Sequence, residues 1–103
     1  MSVKEELKNW AVNFIKNKDL IHNLIKKIEQ SENFDFIVQR KDDSVFFLVI
    51  PELSEIKEII GKAENKRLNI VVLNTRKNLD FLIDHWNSLI KFPELCFYFV
   101  NPR

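Results

Sequence analysis

The segment Val45-Phe46-Phe47-Leu48-Val49-Ile50 is apolar at every position. Successive side chains of an extended strand point to opposite faces, so this run presents two oily faces and requires cover on both. Leu68 to Leu73 carries apolar groups on both faces as well. Strands of this kind belong inside a parallel or mixed sheet with helices above and below rather than in a half-solvated meander.

The intervening segments supply such helices. After Val45–Ile50, Pro51 closes the strand, and Leu53, Ile56, Ile59, Ile60 and Ala63 recur at helical spacing, with Ser54 as an expected cap. After Leu68–Leu73, the residues Leu79, Leu82, Ile83, Trp86, Leu89 and Ile90 mark another helix, opened by Thr75 or Asn78 and followed by Pro93. Leu95 to Val100 reads as the last strand. Upstream, Phe34, Phe36 and Val38 alternate with Asp35, Ile37 and Gln39, and Arg40-Lys41-Asp42-Asp43-Ser44 has the chemistry of a hairpin turn. From Val3 to Ile28 the apolar residues Val3, Leu7, Trp10, Phe14, Ile21, Leu24 and Ile28 follow a helical stripe, which predicts a long N-terminal helical region.

The expected fold class is therefore α/β. A three-layer α/β/α arrangement with a four-stranded mixed, mostly parallel sheet follows, because a strand–helix–strand crossover is right-handed and joins parallel neighbours. A chain of 103 residues suits one domain spanning residues 1–103.

Charge and cysteine use narrow the function classes. The net charge of +1, from 16 basic against 15 acidic side chains, lacks the basic excess of a general nucleic-acid binder. A single cysteine, Cys96, excludes an intramolecular disulfide. No apolar run approaches the roughly 18–20 residues that span a bilayer, and the first residues lack the apolar core of a signal peptide. Cytoplasm is the expected location, without membrane association. One glycine cannot build a phosphate loop, a dinucleotide fingerprint or a nucleophile elbow, and no cofactor is expected.

Ligands of open parallel sheets gather outside the carboxyl ends of the strands. That edge is expected to assemble Glu32, Asp35, Glu52, Arg76, Lys77 and Arg103. Arg76 and Lys77 open a helix, where backbone donors reinforce attraction for phosphate or carboxylate; with Arg103 they are the candidate anion-binding residues. Asp35 and Glu52 are the candidate metal ligands, by the preference of divalent ions for hard oxygens. His22 and His85 have no second ligand at metal spacing.

The order of elements, with Asp35 in Asn33-Phe34-Asp35-Phe36-Ile37-Val38 and the strand Val45–Ile50 behind it, resembles the core of the restriction-endonuclease-like nucleases. That family sets an acidic residue on one hairpin strand and, on the next, a Glu or Asp, one intervening residue and a Lys. Asp35 matches the first position. The second reads Val49-Ile50-Pro51, and Glu52 is followed two residues later by Ser54 rather than Lys. The resemblance implies a catalytically degenerate relative retained for binding or assembly; the alternative is an unrelated α/β domain of convergent shape. The expected function is a non-catalytic binding or interaction module, with a protein partner, a nucleic acid or a second copy of itself as the candidate partners. A metal-dependent nuclease or other phosphate-handling enzyme, and a small-anion-binding regulator, are the competing functions.

Overall fold

A computed structural model describes residues 2–22 and 25–101, and of residues 20–22 the backbone alone. The elements run α1 (Val3–His22), β1 (Ile25–Glu29), β2 (Phe36–Arg40), β3 (Ser44–Val49), α2 (Ile56–Ala63), β4 (Arg67–Leu73), α3 (Arg76–Asp84), α4 (Trp86–Leu89) and β5 (Leu95–Val100). The protein is a mixed α/β domain with a five-stranded sheet in the order β1-β2-β3-β4-β5. β1, β2 and β3 are antiparallel neighbours, while β3, β4 and β5 run parallel.

The expected four-stranded sheet thus gains a fifth strand, taken from the end of the expected helical region. Helix α1 stops at His22, and Ile25–Glu29 pairs with β2. The pairing is irregular between Ile25 and Lys27. An extra residue in a strand shifts its alternation by one, so Ile25 and Ile28, three residues apart, both pack into the core beneath α1. A bulged strand therefore mimics helical spacing in sequence. Asp19, a helix-cap candidate by residue type, instead accepts the Ile25 N–H through both carboxylate oxygens, at 3.0 and 3.2 Å, and so fastens β1 to α1.

Two apolar clusters sit on opposite faces of the sheet. On one face Leu7 and Ala11 of α1 pack with Phe36, Val38, Val45, Phe47, Val49, Val71 and Val100. On the other, Ile59 and Ala63 of α2 and Leu89 of α4 pack with Leu48, Leu68, Ile70 and Val72. The alternation of Val45–Ile50 divides between them: Val45, Phe47 and Val49 face α1, whereas Phe46, Leu48 and Ile50 face α2–α4. Cover is uneven, since Ile37 of β2 belongs to neither cluster. α1 packs its apolar side on the sheet.

Local signals were used unevenly. Ser54 does not cap α2, whose N-cap is Glu55 without a side-chain hydrogen bond. Thr75 caps α3 by accepting the Asn78 N–H at 3.3 Å. The helix expected over Leu79–Ile90 is interrupted at His85, and only part of its apolar set turns inward. Leu89 is buried and Leu82 packs on the core, but Ile83, Trp86 and Ile90 are 60%, 59% and 54% exposed. Trp86 is thus not a core residue.

The β2–β3 turn is an electrostatic knot. Arg40 grips Asp43 through Nε and Nη2 at 2.6 and 2.5 Å, and Arg67 reaches Asp43 at 2.8 Å and Glu94 at 3.3 Å. The hydrogen bonds from Arg40 hold the Asp43 carboxyl below its ordinary value against the opposing effect of burial, and the charges of Arg40 and Arg67 add to the shift. A depressed carboxyl contributes stability that is present above its unfolded value and lost as pH falls through the folded one. Asp43→Asn should therefore cost about 1 kcal/mol or less at pH 7, and the gap to wild type should close below about pH 4, as read by urea denaturation at each pH. Gly61, inside α2, has nothing within 4 Å of where a Cβ would stand. Gly61→Ala is expected to stabilise the fold by about 0.5–1 kcal/mol in the same measurement.

Candidate functional site

Of the polar residues expected at the carboxyl edge of β3 and β4, Asp35, Glu52, Arg76 and Lys77 stand beside the ends of those strands, each paired within the protein. Asp35 lies one residue before β2, with its side chain only 12% exposed. Its N–H donates to the Phe47 carbonyl at 2.9 Å, and its Oδ2 accepts the Val49 N–H at 2.6 Å. Val49 is buried, and a buried backbone N–H without a partner is costly. The Asp35 carboxylate therefore completes the end of the β2–β3 ladder. Its Oδ1 pairs with Lys4 of α1 at 3.1 Å, which ties the first turn of the helix to the same corner.

Glu52 is engaged elsewhere. It pairs with Lys77 at 3.2 Å, across the gap between the β3–α2 connection and the start of α3. Arg76 pairs with Asp80, four residues along the helix, at 3.1 Å. Arg76 and Lys77 have side chains 82% and 83% exposed, so each pair is a solvated one worth about 0–1 kcal/mol. Arg76, Lys77 and Glu52 line a shallow depression with Val3, Pro51, Leu73 and Thr75. Asp35 is not among its walls. Arg103 lies outside the described residues. Among the described residues, no group of three or more His, Cys, Asp or Glu side chains is placed to hold a metal ion. Glu32 is exposed in the bend before β2, and His85 is bound through Nδ1 to the Phe81 carbonyl at 2.9 Å.

The residue that organises this edge is one that sequence offered only as a cap. Asn78 is 1% exposed. Its Oδ1 accepts the Leu53 N–H at 2.9 Å, and its Nδ2 donates to the carbonyls of Pro51 and Leu73, both at 2.8 Å. One amide thereby locks the ends of β3 and β4 to α3, where an open α/β sheet ordinarily leaves a crevice. The signal in the sequence was weak, because an Asn near a helix start is ordinary turn chemistry.

A second groove lies between the second half of α1 and the sheet. It has a volume of about 290 Å³ and is walled by Phe14, Lys18, Arg40, Phe47, Asn69 and Tyr98, among others. Burial raises the Tyr98 phenol, and neighbouring Cys96 adds to the shift. Lys18 stands 5.6 Å from the Phe14 ring centre, and Arg40 is held by Asp43. These polar residues come from four separate elements, which no sequence spacing connects. No family model, curated protein or solved structure matches the chain.

Two substitutions test the structural use of the edge. Asp35→Ala leaves the Val49 N–H without its acceptor and should cost about 1–3 kcal/mol in urea denaturation, with Asp35→Asn, which keeps an acceptor, costing less. Asn78→Ala strands the buried Leu53 N–H and removes one of the two donors to each of the Pro51 and Leu73 carbonyls, which keep the N–H groups of Leu73 and Thr75, and a loss of about 1–3 kcal/mol is expected by the same measurement. A stability unchanged in either alanine variant would contradict these roles.

Proposed function

We propose that this domain is a non-catalytic interaction module, built on a scaffold that resembles restriction-endonuclease-like nucleases without their chemistry. The observation that carries this is the engagement of Asp35. Metal-dependent hydrolysis of a phosphodiester needs a cluster of oxygen ligands around a polarising ion and an activated water. The carboxylate at the position matching the family's acidic residue instead accepts a backbone N–H at 2.6 Å and faces Lys4. At the end of the adjacent strand, where a second acid and a lysine would be needed, the chain has Val49, Ile50 and Pro51, none of which can ligate a metal or carry charge. Leu79, Ile83, Trp86 and Ile90 leave a row of large apolar groups on the surface, and exposed apolar patches of soluble domains mark contact sites.

The competing function, a metal-dependent nuclease using Asp35 and Glu52, is addressed directly by experiment. The purified chain with magnesium or manganese should leave single- and double-stranded DNA and RNA uncut. Asp35→Asn should change the folding midpoint and nothing in that assay. Metal-dependent cleavage by the wild type that disappears in Asp35→Asn would refute the non-catalytic assignment.

A further inference from the structure

Asn69 interrupts an otherwise apolar face. β4 is an inner strand, and its other residues from Leu68 to Leu73 are all apolar. Asparagine is among the residues that strands disfavour. Leu68, Ile70 and Val72 pack beneath α2 and α4, whereas Val71 and Leu73 pack beneath α1. Alternation therefore turns Asn69 toward α1, between Phe47 of β3 and Cys96 of β5 in the ladder. It is half-buried there, yet among the described residues its side-chain amide has no hydrogen-bond partner. Polar groups inside folded proteins ordinarily have one. Asn78, by contrast, uses both ends of its amide.

Asn69 opens into the groove under the second half of α1, whose walls are already set. Phe14 is stacked on Trp10 with ring centres 5.0 Å apart, and Phe47 is stacked on Phe36 at 4.6 Å. Neither ring is free to swing into the space. Val38 and Val45, beside them, are buried core residues. The volume of about 290 Å³ lies at the small end of ligand sites, which run from about 300 to 1,000 Å³. It suits one ring with a short substituent and is too small for a whole nucleotide.

The polar groups select the substituent. Arg40 is paired with Asp43, and Asp19 turns both carboxylate oxygens onto the Ile25 N–H. Lys18, one helical turn from Phe14, faces that ring at 5.6 Å and has no carboxylate partner among the described residues. The Tyr98 hydroxyl is likewise without a hydrogen-bond partner among them. An ammonium, an amide NH2 and a phenol O–H all donate, and together they suit the oxygens of a carboxylate.

We infer that this groove binds a small aromatic monocarboxylate, its ring against Phe14, Val45 and Phe47 and its carboxylate held by Lys18, Asn69 and Tyr98. The site is separate from the interaction-module function and does not depend on it. Phenylacetate serves as the probe, titrated into the full chain to millimolar concentration and followed by amide NMR. The resonances of Val45, Phe47, Asn69 and Tyr98 should shift saturably, while those of Ile59 and Ala63 under the opposite face stay in place. The neutral phenylacetamide should bind about tenfold more weakly, and so should phenylacetate to Lys18→Gln, an exposed position whose change leaves the melting temperature as it is. Asn69→Val separates a binding group from a structural one. It should weaken phenylacetate about tenfold and raise the melting temperature, because a strand-favouring apolar residue replaces an unpartnered amide. No saturable shift at the groove residues overturns the inference, as does equal affinity for phenylacetamide. So does an Asn69→Val chain that melts lower and binds phenylacetate as tightly as the wild type.

Discussion

Water cannot be left against either side of β3 and β4, and the rest of the structure follows from that. Val45, Phe47 and Val49 require α1, while Leu48, Leu68, Ile70 and Val72 require α2 and α4. Burying a side chain of this size contributes about 1.5–3 kcal/mol, so a register slip of one residue would exchange whole faces and be strongly opposed. This rigid centre fixes where every loop emerges, and hence which polar groups meet at each rim.

Each rim shows how a domain this small uses its polar groups. At the carboxyl edge, Asp35 and Asn78 accept the buried N–H groups of Val49 and Leu53, and Asn78 adds a second donor to the carbonyls of Pro51 and Leu73. At the opposite end of the parallel strands, the Arg40–Asp43–Arg67–Glu94 chain links the hairpin turn, β4 and the connection into β5. Side chains that read as candidates for chemistry serve closure instead. A carboxylate already filled by an N–H and an ammonium offers little to an incoming ion, which is the physical basis of the proposal that the domain is non-catalytic.

The surface tells the complementary story. The inward side of α3 and α4 is satisfied by Asn78, Leu82 and Leu89, while Ile83, Trp86 and Ile90 remain in contact with water. Beside them runs β5, six residues without a charge. The two features are adjacent because a right-handed crossover sets the helix above the last pair of strands. The charged and bent β1, at the far edge, shows the opposite treatment.

The central strands, the helices between them, the hairpin turn and the last strand were legible in the chain, because alternation and helical spacing are local consequences of burial. Val45–Ile50 alone determined that both faces of a strand would be covered. The fifth strand was not legible, since a bulge brings Ile25 and Ile28 to one face and imitates the spacing of a helix. The sequence also brought Asp35, Glu52, Arg76 and Lys77 to one edge; only the tertiary structure decided that they would be bound to Val49, Lys4, Lys77 and Asp80. Periodicity reports which way a side chain points relative to its own element. Which donor waits for it there depends on a neighbouring strand or helix distant in sequence, and that is settled by packing alone.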